Sequence, residues 1–199
     1  MSMTETIKLY DRDAYAIEFE ADIISCEPNK ADDKQFDIIL NQTLFFPEEG
    51  GQSPDMGILG GYKVVDVQIK NGVITHTVDI SADDCCIMGK EEAQTEKTTD
   101  GQIIGMECVS EKVELAAGVH VQDKIDWQHR FYNMQQHSGE HIFSGIVHRR
   151  FGFENVGFHL SDSVVTMDFS GVISPEDIAE VEHEVNVAIM MCAHAVRRM

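Results

Sequence analysis

The segment Lys63-Val-Val-Asp-Val-Gln-Ile-Lys70, Asn71-Gly72, Val73-Ile-Thr-His-Thr-Val-Asp79 constrains the fold more than any other part of the chain. Two runs rich in β-branched residues flank a dipeptide suited to the positive φ values of a type I′ turn, so the spacing predicts a two-residue hairpin. Around it lie shorter strand signals: Phe36 to Leu40, Gln102 to Glu107, Lys112 to Leu115 and Val119 to Ile125. The sequence between Ser81 and Gly101 is charged and threonine-rich with few apolar anchors, and reads as an exposed loop or a poorly ordered excursion. Repeated short strands with glycine turns and no long helix predict a small antiparallel β-barrel over residues 1–125.

Near Trp127 the hydrophobic period changes from two to 3.6. Arg130 to Arg150 carries Phe131, Met134, Ile142, Phe143, Ile146 and Val147 across an apolar face, with His137 and His141 on its margin. Val164 to Phe169 reads as a strand. Ser174-Pro175-Glu176-Asp177 then has the form of a helix start: a capping serine, proline at the first helical position and acids in the first turn. Ile178, Val181, Val185, Ile189, Cys192 and Val196 continue it at helical spacing. The fold class expected is α+β, with a barrel over 1–125 and an α/β unit over 126–199.

His137-Ser138-Gly139-Glu140-His141 carries the sharpest chemical signal. Imidazoles four residues apart on a helix are separated by about 6 Å along the axis and about 40° around it, so both can close on one ion at ~2.0–2.1 Å. Two ligands do not complete a site, and such a pair also occurs on ordinary solvated helix faces. A catalytic zinc needs a further Cys, His, Asp or Glu. The same five residues match the H-x-x-E-H pattern of metallopeptidases, in which Glu140 would act as general base. His148 lies ~10 Å beyond His141 along the axis and reads as a surface residue.

Composition narrows the partners. Fifteen Lys and Arg against 35 Asp and Glu give a net charge of −20, which opposes diffuse binding to a polyanion. Any nucleic-acid contact has to be local, through His148-Arg149-Arg150 or Arg197-Arg198. The amino terminus has no basic segment leading into an apolar core, and no apolar run reaches membrane-spanning length. A cytoplasmic protein without a membrane partner is expected. Five cysteines without regular spacing read as reduced thiols.

Three segments in order resemble one family. Asn41-Gln-Thr43-Leu-Phe45-Phe46-Pro47-Glu-Glu-Gly50-Gly51-Gln52, with Asp55 and Gly57, is similar to the D-x-T-x-F-Y-P-x-x-G-G-Q…D-x-G segment of alanyl-tRNA editing proteins, the AlaX type and the editing domain of alanyl-tRNA synthetase. Asp126-Trp127…Arg130…Met134…His137-x-x-x-His141 resembles the family's linker and zinc-binding helix. Val156-Gly-Phe-His159-Leu-Ser-Asp-Ser-Val164…Met167-Asp168-Phe169 and Glu182…Asn186 resemble its downstream strand and E-x-x-x-N helix. The resemblance covers residues 35 to 199. It implies a barrel of the translation-factor type, followed by an α/β domain like the one common to threonyl- and alanyl-tRNA synthetases.

The function implied is that of an aminoacyl-tRNA hydrolase acting in trans on tRNA(Ala) wrongly charged with serine or glycine. Zinc on His137 and His141 would be its cofactor. Such an enzyme serves translation fidelity, because a pocket built for alanine rejects an added hydroxyl poorly and a second hydrolytic sieve supplies the rest. Thr43, Gln52 and His159 are then the expected catalytic-site residues, and Gly50, Gly51 and Gln52 the substrate-binding ones. On the residues alone, Thr43 is an ordinary strand threonine, Gly50-Gly51 a turn that lets backbone approach a neighbour, and His159 a strand histidine. Gly50-Gly51 lacks the Lys-Ser/Thr of a phosphate-binding loop.

Departures from the pattern accompany the resemblance. Asn41 stands where the family commonly has Asp, Phe46 where it has Tyr, and His159 where the synthetase editing domain has Gln. The family completes its zinc site with a C-x-x-x-H motif beyond the E-x-x-x-N helix. Cys192-Ala-His194 has the wrong spacing for it. The 199 residues are therefore expected to be a fragment or a shortened member that holds zinc weakly or not at all. A homodimer through the carboxy-terminal helix stays open, as does a non-catalytic module that binds tRNA or a protein partner through an editing-like fold.

Overall fold

The computed structural model describes residues 5–81, 112–160 and 164–192. Its strands and helices follow in chain order: β1 (Ile7–Lys8), β2 (Glu18–Pro28), β3 (Gln35–Leu40), β4 (Gln42–Thr43), β5 (Gly57–Leu59), β6 (Tyr62–Lys70), β7 (Val73–Asp79), β8 (His120–Ile125), α1 (Trp127–Phe151), β9 (Asn155–Leu160), β10 (Val165–Phe169) and α2 (Pro175–Cys192). The fold is mixed α+β, with a large antiparallel sheet and two helices. Two compact units divide it: Met1–Glu48 with Pro54–Arg130, and Glu49–Ser53 with Phe131–Met199.

In the first unit β6 and β7 form the expected hairpin, running from Lys70 opposite Val73 to Lys63 opposite Asp79. Asn71 and Gly72 sit at φ 52° and 77°, the left-handed pair that matches strand twist in a type I′ turn. The sheet then closes on itself in the order β2-β3-β7-β6-β5-β8, with β8 pairing back to β2. Closure needs curvature, and a bulge between Ile23 and Ser25 and another between Val64 and Asp66 supply it. Closure also leaves these strands no long free edge.

The core of this unit is apolar and layered. Ile23, Ile38, Leu40, Phe45, Leu59, Val64, Val67, Ile74 and Val78 are buried, with Phe19 and His76 edge-on to the Phe45 ring. Beside it the Arg130 guanidinium is bound to both oxygens of Asp55, to the Leu44 carbonyl and to the Ala14 carbonyl. Asp55 also accepts the Phe46 N–H at 2.6 Å, so one carboxylate fixes the loop and the first turn of α1 together. Asn41 donates to Asp22 at 3.1 Å and accepts the Asp22 N–H at 3.0 Å. An Asp there would set two carboxylates against each other.

The second unit contains α1 from Phe131 onward, the antiparallel pair β9–β10 and α2. Ser174 caps α2, its Oγ accepting the Asp177 N–H at 3.1 Å. Ile146, Val147 and Val181 are buried, with Ile142, Phe143, Phe151, Phe153, Phe169, Ile173 and Val185 packed around them.

Several expectations need correction. Lys112 to Leu115 is not a strand, although Val113 and Leu115 still pack against the first core. The apolar faces assigned to the helices are narrower than the pattern suggested: Phe131, Ile178 and Ile189 are 39%, 44% and 47% exposed. Two basic residues of the spot at the end of α1 are already neutralised, Arg149 by Glu184 and Arg150 by Glu180. Gln102 to Glu107, the loop to Gly101 beyond Ser81, Val196 and Arg197-Arg198 lie outside the described residues.

Candidate functional site

One turn of α1 stacks His137 over His141, with ring centroids 4.8 Å apart and planes 30° from parallel. Their ligand atoms and a carboxylate oxygen of Glu140 all lie within 4.8 Å of one another. The segment Glu49–Ser53 belongs to the same unit and explains its two glycines. Gly50 and Gly51 take φ values of 63° and 80°. A Cβ on Gly51 would sit 2.4 Å from the Phe158 carbonyl oxygen, and the Gly51 carbonyl accepts the Leu160 N–H at 2.9 Å. Only glycine permits that approach.

This docking delivers Gln52 to the helix. The buried Gln52 side chain accepts from His137 Nδ1 at 2.8 Å through its Oε1. Phe158 stacks on the His137 ring at 5.5 Å. Burial lowers the His137 pKa, and the neighbouring His141 lowers it further against the opposing pull of Glu140, so a neutral imidazole is favoured. Since a carbonyl oxygen can only accept, the His137 proton sits on Nδ1 and Nε2 keeps its lone pair.

His141, by contrast, is largely exposed. Its Nδ1 lies 3.0 Å from Glu140 Oε2. The other oxygen of Glu140 accepts from Ser144 Oγ at 2.5 Å and from Asn155 Nδ2 at 2.6 Å. Glu140 is 7% exposed and its Oε1 accepts two hydrogen bonds, which is the environment of an anchored group rather than a free general base. His137 thus presents its Nε2 lone pair, and with His141 and Glu140 beside it could hold a borderline metal ion.

Of the remaining expected residues, Thr43 belongs to the first unit and His159 to the second. Thr43 is fully buried in the first unit; its hydroxyl lies 2.9 Å from His76 Nε2 and accepts the Phe45 N–H at 3.0 Å. His76 Nδ1 donates to the Ile38 carbonyl, and burial lowers the His76 pKa to about 4 despite that bond. The ring is therefore neutral, and Nε2 receives the Thr43 proton. His159 follows Phe158 on β9, so it points to the opposite face of the strand from the ring that stacks on His137, and it is exposed. Sequence reasoning missed Asn155, Ser144 and His76. Ser144 follows Glu140 by one helical turn, a signal available in the sequence; the other two are brought in by tertiary structure.

His137, with Nδ1 bonded to Gln52, stands with Glu140 and His141 in a group whose ligand atoms could hold a metal ion. Curated relatives about 28% identical over about 90% of this chain are alanyl-tRNA editing proteins. The Bos taurus Alanyl-tRNA editing protein Aarsd1 is 27% identical over 190 residues, covering 89% of this chain and 35% of the relative. AlaX-L of Pyrococcus horikoshii is 28% identical over 187 residues, 92% of this chain and 38% of the relative. AlaX-M of Methanosarcina barkeri is 29% identical over 191 residues, 92% of this chain and 64% of the relative. The chain thus spans little more than a third of the length of most of these relatives. No family model matches it.

Proposed function

We propose that this chain carries the editing function of its relatives: hydrolysis of the ester that joins serine or glycine to the terminal ribose of tRNA(Ala). The observation that carries this reading is the Gln52–His137 bond at 2.8 Å, because it unites two separately recognised motif segments in one compact unit. The barrel of translation-factor type and the α/β domain like that of the synthetases belong to the same proposal.

The donor set is compatible with zinc. His137 and His141 would hold it through Nε2, with further ligands needed beyond this pair. Bound zinc would polarise the ester carbonyl or acidify a water near neutral pH. Gln52 keeps His137 in the ligating tautomer, and the Gly51 contact with β9 holds Gln52 in place. Thr43 is assigned to the misplaced amino acid on its motif; its hydroxyl, with proton and one lone pair committed, could only accept from a seryl hydroxyl.

The test is release of labelled serine or glycine from mischarged tRNA(Ala). His137→Ala should abolish release. Thr43→Val should lower serine release relative to glycine. Binding of tRNA(Ala) with no release would instead favour a non-catalytic module. The paired state of Arg149 and Arg150 gives no added support to tRNA binding. A peptidase reading requires Glu140 to be free to take a proton from water, and the hydrogen bonds from Ser144 and Asn155 oppose that.

A further inference from the structure

We propose that His76 is a specificity-determining residue: its imidazole sets the direction of the Thr43 hydroxyl, so that Thr43 can accept from a seryl side chain but not donate to it. That role rests on the editing reading and is exerted only through Thr43. His76 lies on β7 between Ile74 and Val78, all three of them buried, so it faces an apolar core where a valine would be the ordinary choice. An imidazole buried there needs partners for both nitrogens. It has them. Nδ1 lies 3.1 Å from the Ile38 carbonyl and Nε2 lies 2.9 Å from Thr43 Oγ1, both in buried bonds, and the Phe45 ring packs edge-on at 5.5 Å.

A carbonyl oxygen can only accept, so the ring proton sits on Nδ1 and Nε2 offers a lone pair. Burial, which lowers the His76 pKa to about 4, keeps the ring neutral near pH 7. Thr43 must then donate to Nε2, while its oxygen also accepts the Phe45 N–H at 3.0 Å. One lone pair is left. With both side chains wholly buried, water does not compete for these bonds. A seryl hydroxyl brought beside Thr43 finds an acceptor, whereas the hydrogen of glycine and the methyl of alanine find nothing to bond. The pair has the form of a nucleophile with its base, but a ring so hard to protonate is too weak a base near neutral pH, and Thr43 keeps its proton.

Two measurements on the full chain test this. Long-range ¹H–¹⁵N NMR, with His76 assigned by substitution at that position, should show its proton on Nδ1. A proton on Nε2 overturns the proposal, because Thr43 would then be the acceptor and free to donate elsewhere. The second measurement is release of labelled serine and of labelled glycine from mischarged tRNA(Ala). His76→Phe keeps a ring beside Phe45 but offers Thr43 no acceptor, so the serine-to-glycine ratio should fall roughly three- to tenfold. His76→Gln should restore most of it: the Ile38 carbonyl claims the NH₂ group, and the amide oxygen is left for Thr43. A residue that merely held the sheet together would lower both rates alike.

Thr43→Val should lower the ratio by itself, and adding His76→Phe should lower it no further, since His76 acts only through that hydroxyl. An unchanged ratio in His76→Phe, or a further fall in the double variant, overturns the proposal. Should His76→Phe not fold, His76→Asn serves instead: its shorter side chain reaches toward Ile38 and stops short of Thr43, and an unchanged ratio is equally fatal. Failure of the parent chain to release either amino acid would sink the editing reading and selection by His76 with it. Release at a ratio indifferent to His76 would sink only the role of His76.

Discussion

The two units are held together by different means. The first surrounds fourteen buried apolar residues with a sheet that closes on itself, whereas the described part of the second buries Ile146, Val147, Leu160 and Val181 and relies on partly buried side chains for the rest. Its cohesion comes instead from polar contacts such as Gln52–His137, Asn155–Glu140 and Ser174–Asp177. Burial of apolar area is non-directional, but hydrogen bonds fix angles and tautomers. The histidine pair sits in the unit whose bonding specifies geometry.

Substitution of the two cores gives the largest effect and could break this comparison. Phe45→Ala should destabilise by about 3–5 kcal/mol, since the ring is fully buried against Phe19 and His76. Val181→Ala should cost about 1–3 kcal/mol, a smaller loss of apolar volume in a thinner core. Urea unfolding of the full chain measures both, and native-state hydrogen exchange locates each loss. Equal costs, or exchange rising in both units together, would show that the polar unit is as firmly packed as the sheet.

Asp55→Ala tests whether the first unit is as apolar in its energetics as in its composition. The side chains of Arg130 and Asp55 are 4% and 0% exposed, so removing the carboxylate strands a buried guanidinium. A cost of about 3–5 kcal/mol is expected, and the Asp55→Ala, Arg130→Met double variant should recover much of it. A mild effect of Asp55→Ala alone would mean that the Leu44 and Ala14 carbonyls satisfy Arg130 unaided.

How far the sequence reveals each region follows the same division. The β6–β7 hairpin was legible because the Asn71-Gly72 turn and its flanking runs are local. β2 was not: its bulge at Ile23–Ser25 breaks the alternation, and its partners β3 and β8 are set by closure. Lys112 to Leu115 has strand-like composition, yet it supplies Val113 and Leu115 to the core without strand pairing. In the site, His137, His141 and Gln52 were legible from spacing and from the family pattern. Asn155 was silent, because its role depends on the approach of β9 to α1. Glu140 could be read only as a base or a solvated residue until Ser144 and Asn155 were visible beside it.

Buried titratable groups of the first unit predict a pH dependence of intermediate size. Burial raises the Asp123 pKa to about 7 against the opposing effects of the Gly60 N–H and His120, and its Oδ2 has no hydrogen-bond partner. The folded state then binds more protons than the unfolded one between the ordinary carboxylate range and pH 7. Stability from this group is full below about pH 4 and is lost as pH rises toward 7. His76, lowered to about 4, acts in the opposite sense: its contribution is present above the ordinary histidine value and lost as pH falls toward 4. Asp123→Asn should remove the first slope and gain on the order of 2–4 kcal/mol relative to the parent between pH 4 and 8. Denaturation midpoints of the two proteins across that range check it. Parallel curves would mean that Asp123 stays ionised when folded.

The smallest effect should come from the ion pairs between the end of α1 and α2. Arg149 and Glu184 are 63% and 38% exposed, so water screens them and holding two long side chains in place offsets much of the attraction. Arg149→Ala should therefore cost only about 0.2–1 kcal/mol, less than any core change, and the difference should vanish near 1 M salt, where the screening length falls to ~3 Å. Its value lies in what else is read. If Arg149 contacts phosphate in a tRNA complex, it must first leave Glu184, and Glu184→Gln should then strengthen tRNA(Ala) binding while leaving the urea midpoint almost unchanged. A filter-binding titration of parent, Arg149→Ala and Glu184→Gln decides it. Identical affinities for all three would place the nucleic-acid contact elsewhere, and would leave this pair as a minor brace in the polar unit.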